Sequence, residues 1–357
     1  MSFVLPRDLI DWLSFSTEAI DLGDIQAEVI LPRLAEAGLP RIGVPEHLGG
    51  SGGDAVDAVR AVAAVAQESL AVAFMLWGHR CFVEFLLQSA NAPLRDRLLP
   101  DLLAGRVAGA SALSNAMKFL AGIEPLQVTA RSEGEVLVTN GKLPWVTNLR
   151  PKGFHVAAAA DRVEGGPALI VSLAHDDPGL TRTPDLALMG MRSSDTAAVT
   201  LSGVRIPRDR IIAENAQEWL PRVRPIFIAL QCGMAIGLAR RSLIEASTCG
   251  GPGRDILASS LEETDQRLRA LDVQLSTGLR SGAFVATPIP LFELRIELAE
   301  IVAEAVALEL QSAGGRCYLR EPGREFARRW REAAFIPLIT PSLVQLRTVV
   351  AGAKKAA

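Results

Sequence analysis

Between residues 111 and 213 the chain changes period. Up to about residue 110, and again from Trp219 onward, apolar residues recur at helical spacing. Between these blocks stand short β-type runs: Leu126–Arg131, Glu135–Val138, Phe154–Ala160, Ala168–Leu173 and Ala197–Leu201. Turn signals separate them at Asn140-Gly141, Glu164-Gly-Gly-Pro167, Asp176-Asp-Pro-Gly179 and Ser202-Gly203. Short strands at roughly 10-residue intervals predict an antiparallel sandwich or barrel. Helices, then strands, then helices, without alternating βαβ units, exclude a doubly wound nucleotide fold. No GxGxxG follows a strand and no GxxxxGK[ST] occurs. The expectation is an α+β chain in three parts: an N-terminal helical domain over 1–110, a middle β domain over 111–215, and a C-terminal helical domain over 216–357.

The helical blocks carry their own start and stop signals. Ile25, Val29, Ile30 and Leu34 share one face of a helix that stops at Gly38, with Pro32 inside it as a source of a kink or a later start. After Gly49-Gly-Ser-Gly-Gly53, Asp54 is placed to cap the next helix. The apolar stretch from Ala58 to Gly78 is interrupted by Arg60, Gln67 and Glu68, so it reads as a buried helix and not a membrane span. Further helical patterning covers 79–89, 92–104, 226–246, 261–279 and 291–312, with a glycine-rich break at Cys249-Gly-Gly-Pro-Gly253.

Composition narrows the partners. Of 357 residues, 37 are Lys or Arg and 40 Asp or Glu, a formal net charge of −3, so no positive field points to nucleic acid. Cys81, Cys232, Cys249 and Cys317 stand far apart without a CxxC, which predicts neither a disulfide framework nor a metal site. Met1-Ser-Phe-Val-Leu-Pro-Arg-Asp8 has no basic segment followed by an apolar run, so the expected location is cytoplasmic.

Four segments, in order, carry a likeness. They are Gly43-Val-Pro-Glu-His-Leu-Gly-Gly-Ser-Gly-Gly53, Asn140-Gly-Lys-Leu-Pro-Trp-Val-Thr-Asn148, Met189-Gly-Met-Arg-Ser-Ser-Asp-Thr196 followed by Val204-Arg-Ile-Pro-Arg-Asp209, and Gln311-Ser-Ala-Gly-Gly315. Together they resemble the signatures of the acyl-CoA dehydrogenase superfamily along nearly the whole chain. That resemblance implies an N-terminal helical domain, a middle antiparallel β-barrel and a C-terminal four-helix bundle. It also implies bound FAD. By position, Trp145 packs on the flavin ring, Thr147 bonds near its N5, and Ser114 keeps a hydroxyl where relatives have threonine. Gln311, Gly314 and Gly315 correspond to a cradle for the pyrophosphate. Arg254, in a partial match, corresponds to an arginine reaching phosphate across a subunit interface. The bland alternatives are strand packing for Trp145 and Thr147, a helix end for the glycines and a solvated loop for Arg254.

The proton acceptor is where the pattern departs. A dehydrogenase of this kind needs a carboxylate within reach of the α-proton. Arg331-Glu-Ala333 aligns with the segment preceding it in most relatives, yet no Asp or Glu occurs from Ala333 to the C-terminus. The other family position, on the first C-terminal helix, falls on Val223 in Leu220-Pro-Arg-Val-Arg224. Glu218, the nearest acid, is a weak substitute and otherwise a surface residue. His79, on the helix that faces the flavin in relatives, is a candidate for oxygen chemistry and otherwise a polar residue of the core. Three functions stay open. The first is a flavin-dependent oxidoreductase acting on an acyl thioester, passing electrons to an electron-transfer flavoprotein. The second is a flavin monooxygenase of the same superfamily, using FMN or FAD supplied by a reductase. The third is a catalytically silent subunit. Each is expected as a homodimer or homotetramer working on a small molecule.

Overall fold

Asp54 caps a helix at both its own backbone and its neighbour's: its side chain accepts from the Val56 and Asp57 amides while Asp57 accepts from the Asp54 amide. In the computed structural model, which describes residues 3–249 and 253–356, that helix is the third of five that open the chain. They are α1 (Arg7–Leu22), α2 (Ala27–Glu36), α3 (Ala55–Glu68), α4 (Leu70–Leu87) and α5 (Ala92–Leu103). The apolar run expected as one helix over Ala58–Gly78 is two, α3 and α4, divided at Ser69, whose backbone is extended and whose hydroxyl caps α4 at the Val72 amide. α2 runs through Pro32.

The strands follow: β1 (Ala108–Ser111), a short helix α6 (Ser114–Leu120), β2 (Val128–Glu133), β3 (Val136–Val146), β4 (Phe154–Arg162), β5 (Leu169–Ala174), β6 (Leu180–Arg182), β7 (Ala197–Pro207) and β8 (Ile211–Ala213). Their order is β6-β7-β3-β2-β4-β5-β8, with β1 also on β4. The antiparallel barrel expected from the sequence is therefore corrected to an open, mixed sheet. β1 and β2 share one edge of β4 and both run parallel to it, and the two end strands β6 and β8 do not pair with each other. The reason is non-local: β3 turns back from β2 toward β7, leaving the other edge of β2 for a strand that arrives from elsewhere. Asn140-Gly141 is likewise no hairpin turn. It lies inside β3, where the register against β7 slips, and a β-carbon on Gly141 (φ 144°) would stand 2.2 Å from the Gln127 carbonyl oxygen. It is a bulge that re-aims the second half of β3.

The helices of the last third are α7 (Ala216–Thr248), α8 (Ala258–Ser281), α9 (Ala283–Ala286), α10 (Ile289–Ala313), α11 (Arg324–Phe335) and α12 (Leu343–Ala356). Of the expected glycine-rich break, Gly250, Gly251 and Pro252 lie outside the described residues. By length and composition, 70–87, 216–248 and 324–355 are long and apolar enough to cross a membrane. The most apolar 18-residue windows of the first two are 89% buried within the protein, so neighbouring helices and strands already answer their apolarity; that of the third is 22% buried. α3, α4, α7 and α10 form the main core, and the inner face of the sheet forms a second one.

Candidate functional site

A cavity of about 390 Å³ opens where α4, β3, α6 and the segment after α11 meet. Its volume falls within the usual range for a small-molecule site. Phe74 and Trp77 of α4 form an aromatic wall, ring centroids 5.3 Å apart and planes nearly parallel, and Phe335 meets Phe74 edge-on at 4.9 Å. Trp77 is fixed by its indole N–H, which donates to the Phe227 carbonyl at 3.2 Å. Trp145 and Thr147, at the end of β3 and just beyond, line the same cavity. Trp145 is 62% exposed, a large aromatic surface that the chain itself leaves open.

Thr147 is buried, and its hydroxyl donates to the Ser194 carbonyl at 3.1 Å. A donor bond from this hydroxyl to a bound ring would therefore require it to turn; as it stands, it presents lone pairs. α4 approaches closely here because Gly78 has no side chain: a β-carbon on it would lie 3.0 Å from Thr147 Cγ2.

α6 and the turn after it supply the polar wall. Ser114, Asn115 and Lys118 project from α6, and Glu124 accepts from Asn115 Nδ2 at 2.8 Å and Lys118 Nζ at 3.2 Å. Partial burial works against the Glu124 charge. The two hydrogen bonds and the Lys118 charge outweigh it and hold the carboxyl below its ordinary pKa. Glu124 is the one carboxylate in the cavity wall among the described residues.

Three residues singled out from the sequence, Ser114, Trp145 and Thr147, thus meet in one cavity. Four others do not line it. Gln311, Gly314, Gly315 and Arg254 gather instead at the far end of α10, where a β-carbon on Gly314 (φ 61°) would stand 3.2 Å from Arg254 Nη2. Arg254 also donates to the Cys249 carbonyl, at 3.5 Å, and the exposed Gln311 amide donates to the Ala307 carbonyl.

His79 and Glu218 stand apart from both places. His79 is fully buried between two backbone groups: its Nε2 lies 3.0 Å from the Leu102 carbonyl and its Nδ1 accepts from the Gly109 amide. Burial keeps the ring neutral and lowers its pKa to about 3, so it pins α4 to α5 and β1 and has no face toward the cavity. Glu218 is exposed in the first turn of α7, where Asn215 bonds it at 2.7 Å. Val223 is fully buried, and neither it nor the 336–342 segment brings an acid to the cavity.

Arg324, Arg328, Arg329 and Arg331, close together in sequence, are ion-paired with Glu18, Glu332, Glu309 and Asp21. Sequence reasoning missed Lys118 and Glu124. The signal was partial: Ser114 was singled out, but α6 separates it in sequence from Glu124-Pro125. No group of three or more metal-ligating side chains occurs among the described residues.

Comparison with known proteins agrees with this architecture. The family model "Acyl-CoA dehydrogenase, N-terminal domain" matches residues 16–106. A probable acyl-CoA dehydrogenase, fadE25, of Mycobacterium bovis is 27% identical over 218 residues, 59% of this chain and 56% of that protein. The match therefore spans little more than half the relative's length. The mitochondrial short-chain specific acyl-CoA dehydrogenase of Bos taurus is 26% identical over 343 residues, 90% of this chain and 81% of the other. The solved butyryl-CoA dehydrogenase of Megasphaera elsdenii shares the fold, with a TM-score of 0.83, 19% identity and 99% of each chain covered.

Proposed function

We propose a function for a chain that belongs to the acyl-CoA dehydrogenase superfamily: a flavin-dependent oxidoreductase that acts on the carbon chain of an acyl thioester. The observation that carries it is the convergence of Ser114, Trp145 and Thr147 on a cavity whose largest exposed aromatic surface, Trp145, has no ring partner among the described residues. These residues fit a flat, redox-active ring. Trp145 offers it a face, Thr147 a polar atom at its edge, and Ser114 a hydroxyl on the α6 side. A bound flavin, FAD by resemblance, would supply the two-electron acceptor. Phe74, Trp77 and Phe335 keep water from the reacting carbons.

The chain's own acid–base equipment is the unusual part. Glu124 is held ionised by Asn115 and Lys118, which makes it a weak proton acceptor, and both usual positions for the base are apolar or polar-neutral. A missing general base costs about 10²–10⁴-fold in rate. This favours a second reading, a monooxygenase of the same superfamily that uses reductase-supplied FAD or FMN and needs no α-proton acceptor. In either reading, the separate cluster of Arg254, Gln311, Gly314 and Gly315 serves the cofactor of a second copy, so the working unit is a homodimer or homotetramer.

The test is flavin content, followed by redox behaviour. A yellow protein bleached anaerobically by butyryl-CoA supports the first reading. Oxygen uptake with added reduced FMN or FAD, without thioester oxidation, supports the second. No flavin uptake in either redox state would overturn both and leave a catalytically silent subunit.

A further inference from the structure

A second cavity, of about 150 Å³, lies beside the first and shares Lys118 and Gln345 with it. Its walls are apolar, from Leu120, Ile289, Phe292 and Leu346 among others, and no acidic residue lines it. One charged side chain faces it from α7. The Arg224 guanidinium lies over the Phe292 ring, 5.5 Å from the centroid, and has no carboxylate partner among the described residues. Its Nε is buried without a hydrogen-bond partner. Desolvation without a compensating anion lowers its pKa. An arginine partly withdrawn from water is ordinarily paired with an anion, and an anion at the outer N–H groups of this guanidinium would supply the missing partner.

The contact with Phe292 anchors the guanidinium beside the cavity, and its forked N–H groups suit a planar, two-oxygen anion. The greasy walls call for a carbon chain behind that anion.

We propose that this cavity is a subsite for the carboxylate end of an alkyl chain, with Arg224 as the residue that selects it. In the setting of the main cavity, the ligand class is an acyl chain that ends in a second, free carboxylate. Placing the reacting end against Trp145 and Thr147 rests on the function proposed above; the carboxylate subsite itself does not.

The test uses the purified full chain and two probes of equal length, hexanoate and 1-hexanol, titrated by calorimetry. Wild type is expected to bind hexanoate about tenfold more tightly than 1-hexanol, about 1.4 kcal/mol. Arg224→Gln should abolish that preference and leave 1-hexanol binding unchanged, while Arg224→Lys, which keeps the charge but not the fork, should retain part of it. Unchanged far-UV dichroism and melting temperature check that the variants fold. Equal affinities in wild type, no binding of either probe, or a preference that survives Arg224→Gln would each overturn the proposal. So would a preference lost only in Lys118→Gln, since Lys118 and not Arg224 would then hold the anion. Neither probe needs flavin. A chain that takes up no flavin yet prefers hexanoate would sink the flavoenzyme reading and leave this subsite standing.

Discussion

Arg328 Nη1 donates to both carboxylate oxygens of Glu332, at 2.8 and 2.7 Å, inside the protein. The same carboxylate accepts from the Leu70 amide at 3.0 Å and so caps α4, the helix that carries Phe74 and Trp77. Burial pushes the Glu332 carboxyl up, and the charge and hydrogen bonds of Arg328 oppose it. Removing Glu332 takes away the cap of α4 and leaves buried Arg328 only the more exposed Glu325, at 3.0 Å; loss of one partner of a buried pair costs about 3–5 kcal/mol. Glu332→Ala is therefore expected to lower unfolding free energy by about that amount in urea titrations at pH 7. Replacing both partners, Arg328→Met with Glu332→Leu, should recover most of the loss. A loss below about 1 kcal/mol, the range of exposed pairs, would show the bridge to be solvated.

Trp145 can be removed with little effect on folding, because it is mostly exposed and packs little of the core. Trp145→Ala is expected to leave the melting temperature unchanged and to weaken FAD binding about tenfold, as loss of an aromatic platform worth about 1 kcal/mol or more implies. Fluorescence titration with FAD measures it. An unchanged affinity would place the ring elsewhere.

What could be read from the sequence was what is local. Asp54 caps the helix that starts at the next residue, and Trp145 and Thr147 lie in one continuous segment, so the cap and the pair's shared place were legible in the sequence. The division between α3 and α4 was not, because half of the cap at Leu70 comes from Glu332, 262 residues away. Nor was the parallel pairing of Thr129 and Ala130 with Asp161 and Arg162, which depends on how β3 departs. β1, Ala-Gly-Ala-Ser, lacks β-branched residues and becomes a strand through burial under α4 and pairing with β4. Glu124 shows the same limit within the site. α6 interrupts the sequence pattern, and folding closes the gap through the bonds from Asn115 and Lys118.

Asp195 makes stability depend on pH near neutrality. It holds a left-handed backbone (φ 47°) beside Thr196 of the cavity wall, with Oδ2 buried and unbonded. Burial first, then the neighbouring Asp185, raises its pKa from 3.8 to about 7. Between those values the native state holds a proton that the unfolded chain has released, so stability is full below pH 3.8 and falls as pH rises to 7. Asp195→Asn is expected to stabilise by about 1–3 kcal/mol at pH 8 and by nothing near pH 3.5, as read from paired urea titrations. Asparagine tolerates the same backbone.

His79 acts in the opposite sense. Its pKa falls to about 3 in the folded protein, from 6.5, so below pH 6.5 the unfolded chain takes up a proton that the native ring refuses. Stability conferred by the neutral ring is complete above pH 6.5 and drains away as pH drops toward 3. His79→Gln, which keeps one donor and one acceptor for Leu102 and Gly109, should be destabilised at pH 7.5 yet lose less on acidification than wild type. Parallel pH series of melting temperature would show this as converging curves. Curves that stay parallel would mean that His79 titrates normally.

The missing proton acceptor can be put back. Thr340 lines the cavity, and the contact that holds its segment is made by backbone: Gln231 Nε2 donates to the Thr340 carbonyl at 2.8 Å. Arg295, fully buried, holds the same segment through the Ile336 carbonyl at 2.7 Å. A new side chain at 340 therefore leaves both contacts in place. Thr340→Glu adds a carboxylate to a wall whose one acid among the described residues, Glu124, is paired with Lys118. If the wild type reduces its flavin slowly with butyryl-CoA for want of a base, this variant is expected to do so about 10²–10⁴ times faster in anaerobic stopped flow. The rate should rise with pH as the new carboxyl ionises. A folded, flavin-loaded variant with no gain would show that the deficit lies in how the thioester is positioned, and would shift weight to the oxygenase reading.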